Sequence, residues 1–406
     1  MVDSTKYPCV SIATGKMTAG WLDATQPAIT VGHFAAITWW DRGNGMQTNY
    51  QINVSESLDD PHWDDFLART PGGHHVQTSC WARVKSTLGW QAARVSVEEG
   101  GRIIAGAQLL IRRIPLVGSI GYVTKGPIIP SADPELAELI VKNIMLLARS
   151  YRCQMLAIQP PNNGDYLSHI LESHDFRINP LELGSTASLV IEIDQGLQLI
   201  KERLTHETRR NIGRSERAGI VVKEGSSADL DMFYALHLAS ARRQGFLPYQ
   251  RKYFDALWEA FAPRGWVTLL LASYEEEIVS AQLLIPFGEL VMAKMVGWAG
   301  RHGKRYPNYA LLWASVMWAA SHGYKYFDFE GLTLQGARCR LNGAAATVPG
   351  PDMFKYGFGG KVELYPSAYV YLPNKIFDWC YHRIPCFVDK GEKGYLVECL
   401  RKRSLH

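Results

Sequence analysis

The sequence has no long apolar run: its longest, Ala310 to Ala320, is too short to cross a bilayer. No basic stretch followed by an apolar core opens the chain, so a secretory leader is not expected. Cysteine is scarce and scattered. Cys9, Cys80, Cys153, Cys339, Cys380, Cys386 and Cys399 form an odd set without a C-x-x-C pair. That argues against a disulfide framework and a zinc site, and fits a reducing compartment. An excess of either charge is missing too. The 43 Lys and Arg against 39 Asp and Glu leave a formal +4, so any surface for nucleic acid has to be local. No G-x-x-x-x-G-K-[ST], no G-x-G-x-x-G after a strand, no H-E-x-x-H and no G-x-S-x-G elbow occurs. What remains, 47% apolar and 20% charged over 406 residues, describes a soluble globular chain long enough for two ordinary domains, expected in the cytoplasm.

Residues 1–49 have no clear period and little charge. They read either as a disordered extension or as a mis-assigned start, with Met46 as the true first residue. From Tyr50 the pattern is regular: a strand at 50–54, helices at 60–69 and 77–90, and a hairpin of 92–97 with 103–114 around Glu98-Glu-Gly-Gly101. A strand at 120–125 follows, then a helix from Pro134 with Asp133 as its cap, then a buried strand at 155–159. The order then returns, with helices at 229–245 and 251–262, a hairpin of 267–273 with 278–286, a strand at 290–296, a helix at 309–321 and a strand at 325–329.

Three matches lie in register. Ala107-Gln-Leu-Leu-Ile111 recurs letter for letter as Ala281-Gln-Leu-Leu-Ile285, Gly89-Trp90 recurs as Gly265-Trp266, and 155–159 falls opposite 327–331, at offsets of 172–176 residues. They predict a duplicated α/β unit. Between the repeats, 195–219 reads as one basic amphipathic helix carrying Lys201, Arg203, Arg209, Arg210, Arg214 and Arg217. The tail after Pro373 is aromatic and ends Arg401-Lys-Arg403, so it either packs on the core or touches a membrane surface.

The chemistry-bearing stretch is Tyr326-Phe-Asp-Phe-Glu-Gly331 followed by Met353-Phe-Lys-Tyr-Gly-Phe-Gly-Gly-Lys361. The first piece reads as a buried strand opening at a loop. The intervening 332–352 has little apolar periodicity and reads as a long loop, a kind usually functional or disordered. Glycines in the second piece allow close backbone approach to a ligand or positive φ. On residues alone, the whole also reads as a strand, a mobile loop and a Gly-rich hairpin with Lys355 as a surface charge. Acyl transfer to an amine needs no enzyme nucleophile. It needs positioning and a cation or donor near the developing oxyanion, a role that a lysine on such a loop fits.

The D-F-x-G strand end with F-K-x-G-F-G-G after it resembles the Fem family of tRNA-dependent aminoacyltransferases, which build peptidoglycan cross-bridges. The resemblance covers roughly residues 50–372 and is most specific over 328–360. It implies an α/β (α+β) fold of two tandem acetyltransferase-like (GNAT-like) domains, duplicated mixed sheets flanked by helices, expected at 50–190 and 191–372. The extension 1–49 and a tail 373–406 would lie outside them. Asp229–Arg264 leaves no room for the long helical hairpin of many members, so the chain looks like the arm-less branch.

The resemblance also implies site residues. Lys355 would lie at the reaction centre with Phe354 walling it, and Asp328 and Gly331 would border the substrate. Lys85, in W-x-x-x-K-x-x-x-G-W, matches a lysine that contacts an acceptor phosphate, although alone it reads as an exposed helix lysine. Tyr253 matches a substrate-contacting tyrosine, although alone it reads as core. Arg251 lies near a phosphate-binding arginine with the spacing shifted by two. Tyr309 fits the family pattern at the start of a helix and reads as structural. Two positions depart: Gln159 stands where the family has an acid, and Val296 where an aromatic hydroxyl is expected. They put the acceptor's identity in doubt.

The activity so implied is transfer of an amino acid from aminoacyl-tRNA to an amine of a nucleotide- or lipid-linked muropeptide precursor. It needs neither metal nor bound cofactor, and would take place in the cytoplasm, at the inner face of the membrane if the contact is peripheral. Two rivals stand. One is a GNAT-like N-acyltransferase using an acyl thioester in surface-polysaccharide assembly, with acyl-CoA as donor. It is opposed by the missing Q/R-x-x-G-x-G/A turn, since the two candidate places read Gly126-Pro-Ile-Ile-Pro-Ser and Lys304-Arg-Tyr-Pro-Asn-Tyr. The other is a non-catalytic tRNA- or membrane-surface binding protein using the basic helix.

Overall fold

Both copies of the Ala-Gln-Leu-Leu-Ile run are buried within long strands, and a mixed sheet forms around each. The computed structural model describes residues 11–12, 37–38, 50–114, 118–179, 184–343, 348, 350–375, 378, 379 and 381. They divide into two compact units.

The first unit contains β1 (Ser11–Ile12), β2 (Ile37–Thr38), β3 (Gln51–Ser55), β4 (Gln91–Glu99), β5 (Arg102–Ile114), β6 (Gly118–Thr124), β7 (Cys153–Gln159), β8 (Arg177–Ile178) and, from the far end of the chain, β16 (Tyr369–Tyr371). Their order in the sheet is β1-β2-β3-β4-β5-β6-β7-β16-β8. The pairs β4·β5 and β5·β6 are antiparallel and β6·β7 is parallel. Helices α1 (Pro61–Arg69), α2 (Ser79–Ser86), α3 (Pro134–Ser150) and α4 (Leu167–Ser173) complete it. α3 starts where the sequence says it should: Asp133 accepts from the Glu135 N–H at 2.9 Å, and Pro134 takes the first turn, where a missing N–H costs nothing. Its apolar stripe Leu136, Ile140, Ile144 and Leu147 buries against Ala107, Leu109 and Ile158 of the sheet.

The second unit contains β9 (Ala187–Glu192), β10 (Val221–Glu224), β11 (Thr268–Tyr274), β12 (Glu277–Phe287), β13 (Leu290–Trp298), β14 (Tyr326–Asp328) and β15 (Lys361–Leu364), ordered β10-β11-β12-β13-β14-β9-β15. Again β11·β12 and β12·β13 are antiparallel and β13·β14 is parallel. Its helices are α5 (Leu197–Arg203), α6 (His206–Arg217), α7 (Leu230–Gln244), α8 (Arg251–Phe261), α9 (Pro307–Ser321), α10 (Leu334–Leu341) and α11 (Gly350–Tyr356). Strand for strand, β3 to β7 correspond to β10 to β14, and α3 corresponds to α9. The duplication read from three short matches is present in the topology. The repeated glutamines are buried in both copies with different partners: Gln108 accepts from Arg94 at 2.8 Å, and Gln282 accepts from the Ser315 hydroxyl at 2.9 Å.

Four expectations differ from the structure. The chain crosses between units at 180/181 and returns at 368, so β9, which straddles the expected boundary at 190/191, pairs with β14 of the second unit. Likewise β16, within the expected second domain, pairs with β7. Each unit's parallel strand gains an antiparallel neighbour, and a short strand carries no mark of which sheet it joins. The single basic helix over 195–219 is two, because Leu204 is extended and Thr205 caps α6, its hydroxyl accepting from the Thr208 N–H. The loop expected over 332–352 contains α10, capped by Thr333 through the Gly336 N–H at 2.9 Å. The expected Gly-rich hairpin is α11 running by a turn into β15, so Lys355 sits on a helix. Most of 1–49 and of the tail 373–406 lies outside the described residues, and the expectations for them with it.

Candidate functional site

β14 ends at Asp328, and the next three residues form the site's floor. The Asp328 carboxylate is 2% exposed and accepts three hydrogen bonds: from the Ser188 hydroxyl, from the Glu330 N–H at 2.7 Å and from the Tyr365 hydroxyl at 3.1 Å. Burial pushes its pKa up, against those donors. Holding its own backbone two residues on, as Asp side chains do in tight turns, Asp328 fixes Glu330 at φ +40° and Gly331 at +66°. The left-handed conformation is open to Gly331 and costs Glu330 of order 1–3 kcal/mol.

That turn points two carbonyls at one ammonium. Lys355 Nζ donates to the carbonyl oxygens of Glu330 and of Gly331, the latter at 2.8 Å. An ammonium has three donors, and among the described residues the third has no partner. Burial lowers the Lys355 pKa; Asp352, Glu330 and Asp328 pull the other way. The Glu330 side chain reaches back to β13, where Lys294 Nζ lies 2.7 Å from Oε1. Burial works against the charge on Lys294, but Glu330, Tyr249 and Asp328 together more than offset it and its pKa is raised.

The structure thus brings together Lys355, Asp328 and Gly331 of the sequence expectations, and adds Glu330 and Lys294, which sequence reasoning missed. Glu330 carried a readable signal, a charge at the end of a buried strand. Lys294 lies 36 residues away and carried none. Tyr253 on α8 is fully buried and stacked on Tyr249 at 4.3 Å; burial first, then the charges of Tyr249 and Glu330, push its pKa up. Phe354 points into the second unit's core, 4.7 Å from the Tyr309 ring and 5.6 Å from Phe358, and anchors α11 beside Lys355. Arg251 is held by Asp231 at 2.8 Å and by Asp255, so a phosphate would have to displace a carboxylate to reach it. In the first unit, Lys85 Nζ lies over the Trp81 ring, 5.1 Å from its centroid. Gln159 there accepts from the Tyr122 hydroxyl at 3.3 Å, and Val296 is exposed.

The block's glycines serve the protein's own packing. A Cβ at Gly357 would lie 2.1 Å from Thr208 Oγ1, at Gly359 2.8 Å from the Arg203 carbonyl oxygen, and at Gly360 2.5 Å from Ile191 Cγ2. The close approach expected of them is to α5, α6 and β9. Among the described residues no cluster of His, Cys, Asp and Glu is arranged to hold a metal ion, and no helix is long and apolar enough to cross a membrane.

Two mixed sheets that share a five-strand order, with a half-buried lysine of α11 held by the turn after the second one's parallel strand, define a tandem GNAT-like acyltransferase fold. The FemAB family model matches residues 58–172, and a model described as an acetyltransferase (GNAT) domain matches 203–338. The chain is thus similar to the FemAB family over residues 58–172 and to an acetyltransferase (GNAT) domain over 203–338. It is similar to a UDP-N-acetylmuramoylpentapeptide-lysine N(6)-alanyltransferase of Weissella viridescens, 24% identical over 69% of this chain and 86% of that one. It is also similar to a lipid II:glycine glycyltransferase of Staphylococcus saprophyticus, 23% identical over 58% of this chain and 59% of the relative, so it spans about three fifths of that protein. The solved structure of FemX superposes with a TM-score of 0.71 over 82% of this chain and 99% of that one, at 17% identity. The C-terminal domain of a putative lysylphosphatidylglycerol synthetase from Agrobacterium fabrum superposes at 0.51 over 82% of this chain and 98% of that one, at 11% identity.

Proposed function

We propose that the chain is an aminoacyltransferase that moves an amino acid from aminoacyl-tRNA to an amine of a peptidoglycan precursor in cross-bridge synthesis. It would work in the cytoplasm on a nucleotide- or lipid-linked acceptor. One observation carries the reading: an ammonium fixed by two carbonyls, with its third N–H left over, at the end of a parallel strand in this fold. The neutral acceptor amine attacks the ester carbonyl, and negative charge grows on its oxygen. The third N–H of Lys355 stabilises that charge more than the neutral ester. Collapse forms the amide, breaks the ester and expels the ribose oxygen, which takes the proton the amine gives up. The names of the two relatives, an alanyltransferase and a glycyltransferase, support this class of donor and acceptor.

A thioester of CoA fits the helix starts less well. Its pyrophosphate would need free N–H groups at a helix N-terminus. At α3 the Asp133 carboxylate already occupies that place, and at α9 Pro307 removes an N–H.

The donor's phosphates have a candidate surface on α6. Arg210, Arg214 and Arg217 line its exposed face, opposite the buried Thr208, Asn211, Ile212 and Ser215. Replacing the three by glutamine should flatten the dependence of log K for tRNA on log salt by about 2 units, since each phosphate contact contributes roughly 0.7–0.9. An unchanged slope places the RNA elsewhere. For the acceptor, Lys85→Ala should raise KM more than it lowers kcat, because a phosphate contact is made equally in ground and transition states. The effect should shrink as salt rises. Steady-state kinetics against the nucleotide-linked muropeptide give the answer, and an unchanged KM returns Lys85 to its stack on Trp81.

A further inference from the structure

We propose that Glu330 seats the α-ammonium of the donor's amino acid, and so makes the site selective for donors with a free α-amino group. The proposal rests on the reading of Lys355 as the ester-binding cation. In an α-aminoacyl ester the ammonium nitrogen and the carbonyl oxygen are separated by only two bonded carbons, roughly 3 Å through space. Whatever holds the oxygen has to accommodate that ammonium beside it. Residue 330 presents both halves: its backbone carbonyl grips Lys355, and its side chain carries a carboxylate.

Charge balance points the same way. Two ammonium groups, Lys294 and Lys355, face three carboxylates, Asp328, Glu330 and Asp352. Among the described residues the cluster is one positive charge short, which a donor's own ammonium supplies. Of these three carboxylates, only Glu330 is partly exposed and so able to offer it an oxygen. Asp328 is 2% exposed and spends itself on three donors, and Asp352 is equally buried and bonded to Thr333 at 2.6 Å. The Glu330 side chain is 23% exposed; Oε1 takes Lys294, and Oε2 has no partner among the described residues. Lys294 is then a positioning residue that aims the carboxylate. Carboxylates as a class are far weaker bases than alkylamines, so the role proposed here is recognition.

The test compares alanyl- and glycyl-tRNA with the same tRNAs carrying lactyl and glycolyl groups, in which a hydroxyl replaces the α-amine. Single-turnover transfer to the nucleotide-linked muropeptide is measured for the full chain and for Glu330→Gln and Glu330→Asp. The wild type should prefer the aminoacyl donor. Glu330→Gln should lose about 10- to 100-fold on it, the worth of one charge-assisted hydrogen bond, and stay within about twofold on the hydroxyacyl donor. Glu330→Asp should recover part of the preference. Equal losses on both donors would mean that Glu330 only props up the turn, and no loss on either would mean that it faces no substrate; both overturn the proposal. A wild type that transfers neither kind of group overturns the aminoacyltransfer reading as well, whereas transfer without discrimination by Glu330 overturns this inference alone.

Discussion

Replacing Lys355 by methionine is expected to lower single-turnover transfer from charged tRNA by about 10²–10³-fold at saturating acceptor, the cost of losing one preorganised oxyanion donor. The melting curve should hardly move. Methionine keeps much of the stem that α11 lays against the turn, and removing a half-buried charge relieves the desolvation that lowers the lysine's pKa. The freed carbonyls of Glu330 and Gly331 lie at the partly open end of the site and can take water. Lys355→Arg should recover only part of the rate, because a planar guanidinium does not put its N–H groups where a compact ammonium does. The pH profile supplies a second check. Activity needs the ammonium and the folded pKa is depressed, so the alkaline loss of rate should begin below the ordinary lysine value of 10.5. A Lys355→Met protein that folds and transfers at near the wild-type rate would remove Lys355 from the chemistry.

Gly360→Ala should be strongly destabilising, because backbone strain and close packing coincide there. Gly360 has φ +103°, and a Cβ there would lie 2.5 Å from Ile191 Cγ2 and 2.7 Å from the Val190 carbonyl oxygen. Strained backbone costs about 1–3 kcal/mol and overpacking another 1–3 kcal/mol. Melting should therefore fall by roughly 5–15 °C for a unit of this size. Transfer should fall with it, since the turn at Gly359 and Gly360 joins α11, which carries Lys355, to β15 on the edge of the sheet. Gly343→Ala is the control: φ there is +73° but a Cβ would meet nothing within 4 Å, so only the backbone term remains. Melting within a degree or two of wild type for Gly360→Ala would show that β9 yields, and that the glycine is not required by packing.

Local pattern carried much of this. The apolar runs around Ala107 and Ala281 are buried on both faces and readable without partners, and the Asp133-Pro134 signal marks the start of α3 correctly. Lys355 stood out because aromatics and glycines surround it. What escaped notice depends on distant residues. No local signal says that β9 and β16 are inserted beside β14 and β7, or that Lys294 answers Glu330 from the neighbouring strand. The 332–352 stretch looked irregular because α10 buries only Gly336 and Ala337, too few residues to show a period. The glycines of 357–360 were legible as special, but what approaches them is the protein's own backbone and side chains.

The central claim is the reaction itself. The most direct measurement incubates the purified chain with a nucleotide- or lipid-linked muropeptide and either charged tRNA or acetyl-CoA, and reads the acceptor's mass. The account predicts a gain of one aminoacyl residue, in amide linkage, only with charged tRNA, and abolished by ribonuclease treatment of the donor. An acetylated acceptor formed from acetyl-CoA, with no product from charged tRNA, would contradict it.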